Sequence, residues 1–250
     1  MIDNGEPVVW LSVGMSQVPG DDGWMDEELA KRLDRLRYTK RQSEARLARW
    51  TAKLAVAKAL DLDDDPAILR EIAIRNARDG APYATVDGEP ISAVIAMTDR
   101  ADWAVCAVLP GEVRIGCDLE LVEPRSSAFV RDYFTAVEQE AVTLSVAPDV
   151  AANVIWSAKE SALKVLRTGL RRDTRTVEVR LHGDTATSWE PLEVHDVAGS
   201  VFPGWWIQYG EFVLTVAAEQ ATQPPIALDG HPSLATAVPS HGWMDDLARS

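Results

Sequence analysis

Two acids two residues apart, Asp118 and Glu120, and an acid–lysine pair four apart, Glu160 and Lys164, have the types and spacing to do chemistry. The first pair sits in Ile115-Gly116-Cys117-Asp118-Leu119-Glu120-Leu121, an alternating apolar run. On a strand both carboxylates leave the same face, where they repel unless something positive lies between them. A hard cation such as Mg²⁺ suits that place and keeps positions for water and phosphate oxygens. The second pair lies in Trp156-Ser157-Ala158-Lys159-Glu160-Ser161-Ala162-Leu163-Lys164. On a helix Trp156, Glu160 and Lys164 share a face, so Glu160 can be a third metal ligand while Lys164 points at a phosphate. Phosphoryl transfer uses that combination, because metal and cation together neutralise the transferring and leaving groups. Each motif alone has a bland explanation: a solvated Asp-x-Glu at a strand end, a Ser157-x-x-Glu160 capping box, an exposed Glu–Lys helix pair.

The elements that must position these residues follow from periodicity. Strands are expected over 8–13, 68–74, 91–97, 103–109, 113–121, 177–181, 205–209 and 211–218. Helices are expected over 26–36, over 40–60 with Leu47, Trp50, Leu54 and Ala57 inward, and over 150–168, ended by Gly169. A helical region over 126–144 breaks at Thr135, where Thr135-x-x-Glu138 resembles a capping box. Turns are expected at 80–82 and 88–90, and a loop at 61–66. From 220 onward Pro, Ala, Ser and Gly dominate, which predicts a flexible tail over 221–250.

The segment Trp50-Thr51-Ala52-Lys53-Leu54-Ala55-Val56-Ala57-Lys58-Ala59-Leu60 aligns without gaps to Trp156 through Leu166. Trp, hydroxyl, Ala, both lysines and Leu recur in place, but Leu54 stands where the second copy has Glu160. Such self-similarity implies two halves of one architecture, 1–112 and 113–220, the second bearing the metal site. A shorter echo of residues 23–31 at 242–249 is attributed to chance. The expected class is α+β: a pseudo-two-fold pair of similar halves, each a helix on a small, mainly antiparallel sheet, with a ligand cleft between them.

Composition narrows the function further. A net charge of −14 argues against a general nucleic-acid binder, and no run approaches the length of a membrane span. Ten of the 25 basic residues nevertheless lie between Lys31 and Lys58 and six between Lys159 and Arg175, where a compact polyanion could bind. The two cysteines, Cys106 and Cys117, sit in apolar runs as core thiols, which points to a reducing, cytoplasmic setting. The four histidines lack ligand spacing, and neither a Ser/His/Asp arrangement nor a glycine-rich phosphate loop occurs. Because each half supplies the other with a partner, a monomer is expected.

Ile115-Gly-x-Asp118-x-Glu120, followed some forty residues later by Trp156-Ser-x-Lys-Glu160-Ser-x-x-Lys164, resembles the 4′-phosphopantetheinyl transferase superfamily, in particular its pseudo-dimeric surfactin-synthetase-activating type. The resemblance covers about residues 30–218. It implies Mg²⁺-dependent transfer of the phosphopantetheine arm of coenzyme A to a serine of an acyl- or peptidyl-carrier protein, releasing adenosine 3′,5′-bisphosphate. It also implies Asp118, Glu120 and Glu160 as metal ligands, Glu138 as the base for the incoming serine, and Lys164 against the pyrophosphate, with Lys159 in the same cleft. Arg49, Lys53 and Arg46 would hold coenzyme A phosphates. Where the family has Gly-Lys-Pro this chain has Gly80-Ala81-Pro82, and where it has a Ser-His-Ser-like segment this chain has Thr98-Asp99-Arg100. Arg100 is the residue there that would supply the missing cation. The alternative is a coenzyme A-binding or regulatory protein of the same fold, with weak or no transferase activity.

Overall fold

The computed structural model describes residues 5–183, 185–230 and 233–239. The chain begins with β1 (Pro7–Gly14), α1 (Glu27–Asp34), α2 (Thr39–Ala59) and α3 (Pro66–Glu71). Five strands follow: β2 (Ile72–Asn76), β3 (Pro82–Val86), β4 (Glu89–Pro90), β5 (Ala93–Arg100) and β6 (Trp103–Pro110). Next come β7 (Ile115–Leu121), α4 (Ser127–Tyr133), α5 (Ala136–Leu144) and α6 (Pro148–Val165). The strands β8 (Val177–Leu181), β9 (Glu190–Asp196), β10 (Val201–Tyr209), β11 (Phe212–Ala218) and β12 (Gln223–Ala227) complete the order.

The architecture is α+β. One sheet has the order β12-β1-β6-β5, a second β7-β11-β10-β9-β8, and a third, smaller one β2-β3-β4. All pairings are antiparallel except that of β1 with β12. The helix α2 packs on β1, β5 and β6, and α6 packs on β7 and β11 in the same manner. Each helix covers its own apolar cluster, around Trp24, Leu47 and Val56 in one case and Ile155, Leu163 and Trp206 in the other. Between the two larger sheets lies a third cluster, built from the other strand faces by Trp10, Val105, Cys117, Leu119, Phe212 and Leu214. That shared core fixes how β5 lies against β7, the junction on which the site is built.

Local signals account for most elements. Asp26 caps α1 by accepting from Leu29 N at 3.0 Å, and Leu29 and Leu33 turn inward. Ser126 caps α4, and Thr135 with Glu138 forms the expected capping box of α5. The strand expected over 68–74 is a correction: Pro66–Glu71 is helical and the strand starts at Ile72. Asp65 accepts from Ala67 N at 2.8 Å with Pro66 in the first turn, a local start signal that overrides the apolar alternation. The helix α6 stops at Val165 rather than just before Gly169, because Arg167 adopts a left-handed backbone with φ of +58°.

Apolar periodicity does not reveal β3, β9 and β12, nor the two-residue β4, which lies within the turn expected at 88–90. Gln223–Ala227 belongs to the stretch whose composition predicts a flexible tail, yet β12 pairs along β1. Its two prolines lack N–H groups and are tolerated at a sheet edge. Leu228 N donates to Trp10 O at 2.8 Å, and Leu234 is buried. The remainder of that stretch from 240, and the echo at 242–249, lie outside the described residues.

Candidate functional site

Alternation along β7 sends Ile115, Cys117, Leu119 and Leu121 into the central core, so Gly116, Asp118 and Glu120 face α6. Gly116 has a specific reason to be glycine. A Cβ there would stand 2.0 Å from Ser161 O and 2.9 Å from Lys164 Cβ, so the bare backbone lets α6 settle on the strand. Ser157 Oγ then donates to Asp118 O at 2.9 Å, and Ser157 and Ser161 share the Thr215 hydroxyl at 2.9 and 2.8 Å. One turn further, Lys164 Nζ donates to Cys117 O at 2.7 Å and to Asp118 Oδ1 at 2.9 Å.

The acids sit in unequal surroundings. Asp118 is 4% exposed; its Oδ1 also accepts from Thr98 Oγ1 of β5 at 3.2 Å, while its Oδ2 is buried with no hydrogen-bond partner among the described residues. Glu120 is fully engaged, by Trp156 Nε1 at 3.0 Å on one oxygen and by Arg125 at 3.0 Å and Arg100 at 3.4 Å on the other. The Glu160 carboxylate has no hydrogen bond or ion pair among the described residues, although Lys164 lies close enough to act on it electrostatically. Burial and then the Asp118 charge raise its pKa to about 7, with Lys164 and Arg125 opposing and Glu120 reinforcing the rise. Burial and Asp118 likewise raise Glu120, against Arg125 and Arg100. Burial disfavours the Lys164 ammonium, but the charge and hydrogen bond of Asp118, with Cys117 and Glu160, together outweigh it and hold the pKa above the usual lysine value.

Among the described residues no three His, Cys, Asp or Glu groups converge as a ready metal cage. What is present does fit a hard cation: a buried, orphaned carboxylate oxygen on Asp118, an unpaired carboxylate on Glu160, and like charges that a cation would relieve.

Lys164 also borders a cavity of about 550 Å³ between the two larger sheet–helix units. On the α2 and β5 side the lining includes Arg49, Met97 and Asp99; on the α6 side, Lys164, Arg167 and Arg171. Arg49 donates to Asn76 Oδ1 at 2.7 Å and makes no ion pair among the described residues. Burial, with Arg32 and Arg75 nearby, lowers its pKa to about 10. A desolvated guanidinium on a cavity wall, next to other cations, is arranged to receive an anion.

Several residues do not stand where the resemblance puts them. Glu138 and Lys159 are each fully buried and paired at 2.8 Å, and neither side chain bonds the Asp118, Glu120 or Glu160 carboxylate among the described residues. Glu138 also accepts from Val179 N and Thr135 N, both at 2.7 Å, and Lys159 donates to Thr174 O at 2.9 Å and to Val177 O. In this arrangement so enclosed a carboxylate is out of reach of a substrate proton. Lys53, the repeat counterpart of Lys159, is likewise buried, donating to Leu69 O at 2.9 Å and Trp24 O at 3.1 Å and pairing with Asp26 at 3.3 Å. The repeat thus preserves a structural device: a lysine that ties the long helix to backbone carbonyls and to an acid near the start of another helix. Arg46 is held by Asp22, Pro19 O and Asp21 O, away from the cavity. Arg100 turns toward Glu120 and Glu123 rather than the cavity, so the cation assigned to it serves the acid cluster. Arg49 and Lys164 remain on the cavity wall.

Thr98, Arg125, Arg167 and Arg171 join the site only in three dimensions. Arg167 and Arg171 belong to the basic cluster of 159–175, which is the signal the sequence offers for them; Arg125, just after Pro124, carries none.

Residues 114–217 match the family model of the 4′-phosphopantetheinyl transferase superfamily. Among solved structures, the holo-[acyl-carrier-protein] synthase of Thermotoga maritima aligns over 52% of this chain and 74% of its own, with 17% identity and a TM-score of 0.35. No curated protein matches the chain.

Proposed function

With residues 114–217 matching the 4′-phosphopantetheinyl transferase superfamily, we propose that this protein moves the 4′-phosphopantetheine arm of coenzyme A onto a carrier-protein serine. The observation that carries the reading is Lys164, which bonds Asp118 and at the same time lines the cavity between the halves. An acid cluster and a cationic cavity joined by one lysine suit cleavage of a pyrophosphate ester. We take 1–112 and 113–220 as the two halves that enclose it.

In this reading Arg49 and Lys164 bind the donor's phosphates, and Lys164 steadies the oxygens that leave with adenosine 3′,5′-bisphosphate. Asp118 and Glu160 would hold Mg²⁺, with Glu120, the other acid on that face of β7, as the third carboxylate. When bound, the ion would neutralise charge on the pyrophosphate as the serine oxygen attacks and the phosphoanhydride bond breaks. Thr98 keeps Asp118 oriented. Glu138, Lys159 and Lys53 hold the helices in place and touch no substrate. Besides helping to hold the ion, Glu160 takes the proton of the incoming serine. The acceptor is an acyl- or peptidyl-carrier protein of polyketide, nonribosomal-peptide or fatty-acid biosynthesis, and the protein works as a cytoplasmic monomer.

One observation favours the second reading, coenzyme A binding without turnover: both oxygens of Glu120 are occupied by the chain's own donors. Incubation with coenzyme A, Mg²⁺ and apo carrier proteins, read by intact mass, separates the two. Transfer predicts a carrier mass gain that needs Mg²⁺ and disappears in Asp118→Ala. No gain across several carriers, with calorimetric binding of coenzyme A intact, overturns transfer in favour of binding.

A further inference from the structure

Arg167 occupies the position just past the end of α6, where chains usually place glycine. Its φ is +58°, its N–H bonds Lys164 O at 3.0 Å, and the next N–H, of Thr168, bonds Leu163 O at 3.1 Å, completing a Schellman turn. A non-glycine residue pays a conformational penalty there, and such outliers persist where the side chain has a use. The side chain reaches Asp79, in the turn between β2 and β3 and on the cavity lining, with 3.0 Å between Nη1 and Oδ2. Arg171 leans on the same turn, donating to Asp79 O at 3.5 Å and to Arg167 O at 3.3 Å. All three residues line the cavity. Asp79 is itself held, since its Oδ1 accepts from Ala81 N at 3.0 Å.

We infer that Arg167 is a phosphate-binding residue of the donor site, and that Asp79 occupies its guanidinium in place of a ligand phosphate until the ligand arrives. The inference rests on the coenzyme A reading above. The geometry supports exchange: the pair is 41% exposed on the arginine side and 36% on the aspartate side, so a phosphate can approach it. An ion pair so open to water is weak, whereas an arginine–phosphate contact is bidentate and charge-assisted. The clasp thus holds the guanidinium between ligands and becomes part of the binding surface when a phosphate replaces the carboxylate.

The test is calorimetric titration of the full chain with coenzyme A, for wild type, Asp79→Asn, Arg167→Gly and the double variant. The amide introduced by Asp79→Asn can still accept from Ala81 N, and glycine suits the left-handed position, so both variants should fold with at least wild-type thermal midpoints. Asp79→Asn is expected to tighten binding by up to about fivefold, by removing the competitor. Arg167→Gly is expected to weaken it about tenfold or more, and in the double variant the gain from Asp79→Asn vanishes. Wild-type affinity in Arg167→Gly, or weaker binding in Asp79→Asn, overturns this inference while leaving coenzyme A binding intact. Absence of any coenzyme A binding by the wild type overturns both this inference and the function it rests on.

Discussion

Replacing Glu138 by glutamine distinguishes a structural carboxylate from a catalytic one. In the folded chain Glu138 accepts from Lys159, Val179 N and Thr135 N, all at 2.7–2.8 Å, with no exposed surface. Burial pushes its pKa up and that of Lys159 down, so for both groups desolvation outweighs the mutual attraction. The net worth of such a pair against an apolar replacement is small, but removing one partner leaves the other charge buried alone. For Glu138→Gln that cost is about 3–5 kcal/mol, because the neutral amide leaves the Lys159 ammonium without its counter-charge and sets its NH₂ against a donor whichever way it turns. At about 2–4 °C per kcal/mol for a protein of this size, the thermal midpoint should fall by roughly 6–20 °C. The double variant Glu138→Gln/Lys159→Met, which removes the stranded charge, should recover much of that loss. Urea unfolding gives the free energies, and the carrier-protein mass assay, run well below the lowered midpoint, gives the activity. Glu138→Gln should unfold early yet transfer at near the wild-type rate. Wild-type stability with transfer abolished would refute the placement of Glu138 as a helix-anchoring group and restore it as the base.

Two other perturbations test the acid cluster and its packing. Glu160 has a folded pKa of about 7 against the usual 4.5, so the native state binds more protons than the unfolded state between these values. Its contribution is therefore fully present below about pH 4.5 and is lost as pH rises through 7. In chelator, Glu160→Gln should reduce this decline; an unchanged slope of urea-unfolding free energy against pH would contradict the assigned crowding of charge. Gly116→Ala should destabilise by about 1–3 kcal/mol or more, since its Cβ meets the Ser161 carbonyl and forces α6 away from β7. It should also weaken coenzyme A binding by displacing Lys164, and wild-type urea stability would contradict the close approach.

The sequence by itself determined what short-range geometry can encode. The two-residue spacing of Asp118 and Glu120 and the four-residue spacing of Glu160 and Lys164 each placed a pair on one face once the element type was known. The capping box at Thr135 and the repeat around Trp50 and Trp156 were equally local. Tertiary structure decided the rest, because partners of a side chain come from distant segments. Lys159 and Glu160 are neighbours in sequence but about 100° apart around the helix. Lys159 is therefore driven into the core against Glu138, while Glu160 stays at the acid cluster. Nothing in the order of residues says that Lys53 closes on Leu69 O, or that Arg100 crosses from β5 to Glu120 and so leaves the cavity to other cations. The sheet-on-sheet core sets the second of these meetings by fixing β5 against β7, and the packing of α2 on α3 sets the first. The packing of α6 and β5 around β7 gives Asp118 its buried, unpartnered oxygen, a property of three-dimensional packing rather than of the Asp-x-Glu motif.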